Sequence, residues 1–255
     1  MTKTCEMVQV LEHNTVASDV FSLVVAAPKI AAIAQPGQFV HIRLADRLDL
    51  LLRRPFSIAD CDINKGTLTI IYRVVGKGTA LMAKLKAGDR LDFMGPLGKG
   101  FSLAARRPLL VGGGMGLAPL VMLAKAFCDC PATLLMGGRN EHELFWPDIY
   151  AGVCQNVHIT TDDGSIGRRG FTVDVLPELL TNNQFDIIFA CGPHAMLKGV
   201  AKTAAQYGIA CQVSLEEFMA CGVGACLSCT CAGTDGKRHK VCTDGPVFWA
   251  EEVAW

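Results

Sequence analysis

The chain has 255 residues, of which 51% are hydrophobic and 19% are charged, which is enough for one large domain or for two ordinary domains and a small one. Lysine and arginine together number 24, and so do aspartate and glutamate, so the formal net charge is zero. This balance argues against a nucleic-acid-binding protein, because such proteins normally carry a basic surplus.

Short strands separated by turn residues are predicted for the first hundred residues. The turns contain Asn14, Pro36-Gly37, residues 64–66, Gly76 and Gly95-Pro96. Strands spaced in this way are typical of an antiparallel barrel. The predicted strands cover residues 7–12, 20–26, 38–44, 68–75 and 90–93.

Three short motifs in this region together predict a cofactor site. The N–H groups at the start of a helix predicted over residues 80–84 would bind a pyrophosphate, and Arg54 or Arg73 would neutralise its charge. The Ser57 hydroxyl would bond the edge of a flavin ring, while the ring of Phe56 or Tyr72 would pack against its apolar face. The motifs are Arg54-Pro55-Phe56-Ser57, Ile71-Tyr72-Arg73 and Gly78-Thr79.

Strands alternate with helices from residue 107 onward, which predicts a doubly wound parallel sheet. Residues 108–124 are uncharged, but this stretch is shorter than the roughly 20 apolar residues of a membrane span, so we expect no membrane insertion. The predicted strands cover residues 109–111, 133–136, 158–160, 187–190 and 212–214. The predicted helices cover residues 117–127, 141–150, 173–180 and 195–207.

A glycine-rich loop after the first of these strands predicts a dinucleotide site. Gly112-Gly113-Gly114-Met115-Gly116 opens a helix, where backbone N–H groups can approach a phosphate, although the loop is not the usual G-x-G-x-x-G pattern. Cys191-Gly192-Pro193 follows the fourth strand, and Cys191 is expected to be a small buried residue. Arg139 would attract a 2′-phosphate, whereas Glu141 and Glu143 would oppose it, so the sequence favours NAD over NADP.

Four of the twelve cysteines have the spacing of iron ligands. Cys221, Cys226 and Cys229 form the C-x4-C-x2-C run of plant-type [2Fe–2S] proteins, and Cys242 is the distant fourth cysteine. A structural zinc site with His239 is the alternative, and Cys231 is an alternative ligand to Cys229. So many cysteines in a long, aliphatic-rich chain indicate a reducing, cytoplasmic setting.

These motifs resemble those of the ferredoxin–NAD(P) reductase superfamily. The superfamily has an Arg-x-Tyr/Phe-Ser motif and a Gly-x-Thr/Ser turn in its flavin barrel, where Phe56 departs from the tyrosine of many members. Its nicotinamide domain has the GG-x-G-hydrophobic-Ala-Pro loop, which implies phosphate binding at Gly113, Gly114 and Gly116. The resemblance also implies that Cys191-Gly192-Pro193 lies beside the nicotinamide ring.

Over its whole length the chain is similar to the electron-transfer subunits of class 1B dihydroorotate dehydrogenases. The runs that carry this resemblance are residues 217–229 and 241–248. It implies FAD, one [2Fe–2S] cluster, NAD as a substrate, and an FMN-containing catalytic partner in a heterotetramer of two copies of each subunit. Electrons would pass from dihydroorotate through FMN, the cluster and FAD to NAD, in pyrimidine biosynthesis.

We therefore predict an α+β multidomain chain. The expected parts are an antiparallel flavin-binding barrel (1–102), a doubly wound parallel nicotinamide domain (103–214) and a small [2Fe–2S] subdomain (215–255). Two alternatives remain open: an NAD(P)H reductase subunit serving a hydrogenase, sulfite reductase or ferredoxin, and a zinc-stapled interaction module. Aromatic residues near the C-terminus, Val247-Phe248-Trp249 and Trp255, are expected either to form a docking face or to pack locally.

Overall fold

A computed structural model describes residues 3–44 and 50–255 of the chain. The first region is a seven-stranded antiparallel sheet in the order β4-β3-β7-β1-β2-β6-β5, as expected for the predicted barrel. Its strands are β1 (Thr4–Ala17), β2 (Val20–Ala26), β3 (Phe39–Arg43), β4 (Arg54–Ser57), β5 (Asp60–Asp62), β6 (Thr67–Arg73) and β7 (Arg90–Leu97), with the short helices α1 (Pro28–Ala31) and α2 (Lys77–Met82).

The two end strands of this sheet are joined by a very short connection. Only Ile58 and Ala59 separate β4 from β5. The N–H of Ile58 donates to the carbonyl of Gln38 at 3.1 Å, next to β3, and the N–H of Ala59 donates to the carbonyl of Thr69 on β6 at 2.9 Å. This short connection brings the two edge strands, β4 and β5, next to each other. The sheet is therefore closed into a barrel around buried residues such as Leu23 and Phe93.

A second seven-stranded sheet follows in the order β11-β10-β9-β8-β12-β13-β16. Strands β8 to β13 are parallel along this order, which confirms the predicted doubly wound fold. The strands are β8 (Pro108–Gly113), β9 (Thr133–Gly138), β10 (Asn156–Thr161), β11 (Arg168–Arg169), β12 (Ile187–Cys191) and β13 (Ala210–Ser214). The helices are α3 (Ala118–Ala126), α4 (Trp146–Tyr150), α5 (Thr172–Asn182) and α6 (His194–Gln206).

The helix predicted over residues 141–150 is wrong in its first half. Residues Glu141–Glu143 form a single 3₁₀ turn, and α4 begins only at Trp146, with a proline among its first positions. Pro147 has no backbone N–H to donate, and a proline is favoured in the first turn of a helix, where such donors have no partner within the helix. Helix α4 therefore begins at Trp146, next to this proline, and not at Glu141.

The C-terminal region does not form a separate body held only by its cysteines. Strands β14 (Thr230–Ala232) and β15 (Arg238–Lys240) form a two-stranded hairpin, while β16 (Val247–Trp249) pairs antiparallel with β13. The N–H of Lys99, after β7, donates to the carbonyl of Gly245 at 2.6 Å. The tail thus contacts both the barrel and the parallel sheet, and the predicted boundaries at 102 and 214 remain predictions.

Most of the C-terminal aromatic residues pack locally. Phe248 is 7% exposed within the apolar core, and the Trp255 indole N–H donates to the carbonyl of Ala250 at 3.0 Å. Of the predicted docking residues, Trp249 is the most open at 37% exposure, whereas Phe218 beside the cysteine loop is 90% exposed. Thus the exposed aromatic side chain nearest to the cysteines is one that the sequence analysis did not select.

No helix formed by residues 3–44 and 50–255 combines the length and the apolar character needed to cross a membrane.

Phe189 lies at the centre of an aromatic cluster in the core of the parallel sheet, so its removal should destabilise the fold. Phe189 on β12 is fully buried, and its ring centroid lies 5.6 Å from that of Phe101 and 5.5 Å from that of Phe127. We expect Phe189→Ala to lower the free energy of unfolding by about 3–5 kcal/mol, measured by denaturant unfolding with far-ultraviolet circular dichroism.

The matched control is Phe171→Ala, because the Phe171 side chain is 60% exposed. The same chemical change there should alter the free energy of unfolding by no more than about 0.5 kcal/mol. Equal losses in the two variants would contradict the central place of Phe189.

Candidate functional site

A cavity of about 550 Å³ lies between the barrel and the parallel sheet. Eight of the nine residues predicted to bind a flavin line it, and Gly78 is the exception. Across the cavity lie Met115, Ala118, residues 214–219 and Pro246. The eight lining residues are Arg54, Pro55, Phe56, Ser57, Ile71, Tyr72, Arg73 and Thr79.

Gly78 and Thr79 shape the turn at one end of this cavity. Helix α2 begins at Lys77, earlier than predicted, so both residues lie in its first turn. The Thr79 hydroxyl accepts the N–H of Val75 at 2.9 Å and that of Gly76 at 3.1 Å. A Cβ on Gly78 would lie 2.7 Å from Cδ1 of Leu44, so the absence of a side chain lets Leu44 pack against the turn, and Nε of Arg54 lies next to the same position.

Arg54 and Arg73 differ in their ionic environment. Arg73 Nη1 lies 3.8 Å from Oε1 of Glu143, which is also 3.9 Å from Arg139 Nη1. Arg54 donates to the backbone carbonyl of Leu52, and within the described ranges no carboxylate pairs with it. An unpaired guanidinium in a cavity suits a bound anion, so the residues present fit a pyrophosphate at Arg54 better than at Arg73.

The aromatic residues of the cavity supply ring surface. Phe56 and Tyr72 are in edge-to-face contact, with centroids 5.9 Å apart and an interplanar angle of 73°. The Tyr72 hydroxyl lies 2.9 Å from Nε2 of His13, and burial raises its pKa. Because that hydroxyl is already bonded, Tyr72 offers its ring to a ligand, as Phe56 does.

A second cavity, of about 520 Å³, opens at the carboxyl ends of β8 and β12. The strand order reverses between these two strands, and such a switch point is where open α/β sheets bind ligands. Gly113, Gly114, Gly116, Gly192 and Pro193 all line this cavity, as the predicted nicotinamide site requires.

The two turns of the predicted nicotinamide site touch each other through their backbones. A Cβ on Gly116 would lie 2.4 Å from the carbonyl oxygen of Cys191, and one on Gly113 would lie 2.7 Å from the sulfur of Met196. Gly114 has a φ of +56°, which is the left-handed region. The absence of a side chain at Gly116 therefore permits a backbone contact that any side chain would prevent, and glycine at position 114 permits the positive φ.

Cys191 lies beneath the cavity and does not line it. It is 1% exposed, and its pKa is raised mainly by burial and also by the neighbouring Glu216 carboxyl group. It therefore remains a neutral thiol at physiological pH, in agreement with its expected role as a small buried residue.

Glu216 is a candidate functional residue that the sequence analysis missed. With Met115, Leu215 and Glu217, it lines both cavities. The Glu216 side chain is exposed to solvent in the cavities, and partial desolvation by the surrounding protein raises the pKa of its carboxyl group. The sequence did contain a signal for this role. Glu216 and Glu217 closely follow the parallel strand β13, and the carboxyl ends of such strands form the ligand site.

The loop 221–229 wraps around the sulfur of Cys221. This Sγ accepts the backbone N–H groups of Val223 at 3.4 Å, Ala225 at 3.3 Å and Cys226 at 3.4 Å. Burial alone would raise the pKa of Cys221, but these hydrogen bonds lower it to about 6. A sulfur that receives three N–H groups is suited to be a thiolate ligand.

Glycine allows this loop to lie close to its neighbours. Gly222 and Gly224 have φ values of +67° and +83°. A Cβ on Gly222 would lie 2.6 Å from Nδ1 of His41, which is buried on β3 of the barrel. The cysteine loop is therefore seated directly on the barrel.

The four predicted ligands form two neighbouring pairs. The Cys226 thiol bonds Cys221, while the N–H of Cys242 donates to Sγ of Cys229 at 3.4 Å. Burial and the Cys229 thiol raise the pKa of Cys242 to about 12. In the described ranges, no three His, Cys, Asp or Glu side chains are close enough together to hold a single metal ion. Two pairs of thiols instead match a [2Fe–2S] cluster, in which each iron has two cysteine ligands.

Cys231 and His239 are directed elsewhere. The Cys231 thiol donates to the carbonyl of His239 at 3.6 Å and lines the nicotinamide cavity. Burial raises the pKa of Cys231. His239 Nε2 lies 3.0 Å from Oδ1 of Asp235. Both alternative ligands therefore have other partners.

Comparison with known protein families identifies two parts of the chain. Residues 7–101 match the oxidoreductase FAD-binding domain. Residues 216–254 match the iron-sulfur cluster binding domain of dihydroorotate dehydrogenase B.

Among solved structures, one of an NADH-dependent reduced ferredoxin-NADP oxidoreductase has a TM-score of 0.88 and 33% identity, covering 98% of this chain and 90% of that chain. The ferredoxin reductase in carbazole 1,9a-dioxygenase has a TM-score of 0.68 and 24% identity, over 82% of this chain and 67% of that one. The second likeness shows the fold alone, which confirms the reductase architecture.

Two relatives that align over nearly their whole length share the name dihydroorotate dehydrogenase B (NAD(+)), electron transfer subunit. The relative from Bacillus caldolyticus is 41% identical over 97% of this chain and 98% of its own length. The relative from Shouchella clausii (strain KSM-K16) is 42% identical over 96% of both chains. The chain belongs to the family of dihydroorotate dehydrogenase B electron transfer subunits.

Proposed function

We propose that this chain transfers electrons between a catalytic subunit that oxidises dihydroorotate and NAD, through a [2Fe–2S] cluster and FAD, in the de novo synthesis of pyrimidines. The observation that carries this proposal is one continuous segment, residues 214–221. It leaves β13, lines both cavities and ends at the first cluster cysteine. The three sites are therefore adjacent parts of one path.

Each site is assigned by what its residues offer. Arg54 would hold the FAD pyrophosphate, with Thr79 shaping the turn beside it, while Phe56, Tyr72 and Ser57 would hold the ring. Bound FAD converts between hydride transfer with NAD and the one-electron chemistry of an iron–sulfur centre. Gly113, Gly114 and Gly116 leave space for the dinucleotide phosphates, and Gly192-Pro193 bounds the nicotinamide pocket.

Residues at the junction of the two cavities position these groups relative to each other. Leu215 and Met115 present apolar side chains to both cavities, which would limit water between a flavin and a nicotinamide. Glu216 places a carboxyl group where the two cavities meet, and desolvation by the surrounding protein raises the pKa of this group.

The partner is proposed to be an FMN-containing catalytic subunit in an assembly of two copies of each chain. The names of the relatives, as electron transfer subunits, support a separate catalytic chain. An apolar surface beside the cluster cysteines also supports it, with Phe218 90%, Leu227 62% and Val223 40% exposed. All twelve cysteines lie in the described ranges and none of them forms a disulfide, which supports the proposed cytoplasmic location.

A ferredoxin-linked NAD(P)H reductase is the second candidate. The 33% identity to an NADH-dependent reduced ferredoxin-NADP oxidoreductase favours it, and that likeness extends over 98% of this chain. The partner that co-purifies from the native host distinguishes the two candidates.

The first test concerns the cluster ligands. We expect Cys221→Ser, Cys226→Ser, Cys229→Ser and Cys242→Ser each to lose iron and visible absorbance, because each removes one of four thiolate ligands. The control is Cys231→Ser, which should keep both iron and visible absorbance, since Cys231 lines the cavity proposed for the nicotinamide dinucleotide. Loss of the cluster in Cys231→Ser together with its retention in Cys229→Ser would refute the assignment.

The second test concerns Arg54. We expect Arg54→Ala to weaken FAD binding about tenfold or more, since a charge-assisted hydrogen bond contributes about 1.5–3 kcal/mol. The dissociation constant is measured by flavin fluorescence after reconstitution of the flavin-free protein. Arg90→Ala is the control, because Arg90 is exposed at the start of β7 and does not line the cavity. An Arg54→Ala protein that retains stoichiometric FAD through extensive dialysis would speak against this role.

The third test concerns the division of labour. The isolated chain should oxidise NADH with an artificial electron acceptor but should not oxidise dihydroorotate, because that oxidation needs a positioned base in a substrate pocket. Addition of the FMN-containing partner should restore dihydroorotate oxidation and reduce the cluster. Dihydroorotate turnover by the isolated chain would disprove the division, and a cluster that stays oxidised with the partner present would favour the ferredoxin-linked candidate.

A further inference from the structure

The hairpin between the last two cluster cysteines forms part of the nicotinamide cavity. Strands β14 and β15 lie within residues 230–241, which separate Cys229 from Cys242. Thr230, Cys231, Ala232 and Arg238 of this hairpin line the same cavity as Gly113–Gly116. The cluster-binding segment therefore also shapes the site proposed for the dinucleotide.

Arg238 is held in a defined orientation within this cavity. Its Nε donates to Oγ1 of Thr230 at 2.9 Å, and its Nη2 donates to the carbonyl of Thr230 at 2.8 Å. These bonds use two of the five N–H groups of a guanidinium, so three remain for a ligand. Within the described parts of the chain, no carboxylate forms an ion pair with Arg238.

No other ionisable group that lines the cavity in the described ranges supplies a permanent positive charge. Arg238 is the only lysine or arginine among the described lining residues. The further lining groups are His194, the Cys231 thiol and the glutamates 216 and 217. An anion bound here would therefore be attracted to Arg238 and to the backbone N–H groups of the glycine loop.

We propose that Arg238 binds the pyrophosphate of the nicotinamide dinucleotide. This inference rests on the proposed function, which makes NAD the substrate of the cavity. The pyrophosphate is the anionic part of that substrate, and the planar guanidinium matches two phosphate oxygens at once. The cluster-binding segment then serves two ligands, with cysteines for iron at its ends and a cation for the nucleotide between them.

The test compares charge-matched variants of the full chain loaded with FAD and cluster. Equilibrium titration gives the dissociation constants for NAD⁺ and for ADP-ribose, which contains the pyrophosphate but lacks nicotinamide. Arg238→Gln should weaken both ligands about tenfold or more. The control Lys237→Gln should leave both unchanged, because Lys237 is paired with Asp235 at 3.9 Å and does not line the cavity.

Several outcomes would overturn the proposal. An unchanged dissociation constant in Arg238→Gln is one, and an equal loss in Lys237→Gln is another. Weakened NAD⁺ binding with unchanged ADP-ribose binding would refute the contact with the pyrophosphate. Iron content reports whether the hairpin is intact.

If Arg238→Gln loses iron, Arg238→Lys becomes the deciding variant, because lysine keeps the charge without the two-point contact. An iron-loaded Arg238→Lys protein with the NAD⁺ affinity of the unsubstituted chain would also overturn the proposal. Failure of the unsubstituted chain to bind NAD⁺ would instead refute the proposed function itself.

Discussion

The backbone pairing of β16 with β13 holds the three sites of this protein together. Val213 pairs with Phe248 and Ser214 with Val247, while the carbonyl of Gly245 accepts the N–H of Lys99 from the barrel side. The N–H of Leu215 donates to the carbonyl of Pro246 at 2.9 Å. The segment that starts at Ser214 is thereby fixed at the edge of both cavities, and the cysteine loop that follows it is placed on the barrel.

Close packing against the backbone at glycine residues is the common feature of the candidate sites. The glycine loop after β8 touches the turn after β12 at Gly116, and the cysteine loop touches His41 at Gly222. Because these contacts leave no room for a side chain, ligands bound at these sites would meet mainly peptide N–H groups, as the sulfur of Cys221 does. Such groups favour phosphate and thiolate without adding net charge, which agrees with a chain whose formal net charge is zero.

The few charged side chains at the sites occupy separate positions. Arg54 lies in the flavin cavity, Arg238 in the nicotinamide cavity and Glu216 where the two cavities meet. Arg73 differs from Arg54 because Glu143 already pairs with it and also with Arg139. This bridge links the barrel to the parallel sheet and lowers the positive charge near Arg139, an arrangement that suits NAD better than a cofactor with a 2′-phosphate.

Local patterns in the sequence were sufficient for the fold class and for most of the candidate site. The alternation of strands and helices after residue 107 predicted the parallel sheet, and the C-x4-C-x2-C run brought Cys221, Cys226 and Cys229 into one loop. The flavin motifs were recognisable locally, and closure of the barrel brings β4 and β6, which lie towards opposite ends of the strand order, to the same cavity. Pro147 was also a local signal, since a proline is favoured in the first turn of a helix and α4 begins beside it.

Only the tertiary structure decided what lies between the sites. Glu216 and Arg238 are far in sequence from Gly113, yet all three line one cavity. The sequence left open whether Phe248 lies on a docking face or packs locally, and the pairing of β13 with β16 buries it. A pattern of neighbouring residues specifies the backbone of its own segment, because local hydrogen bonds and periodicity act within that segment. The meeting of distant segments depends instead on which strand edges and apolar faces remain to be paired when the whole chain has folded, and this determines the residues that complete each cavity.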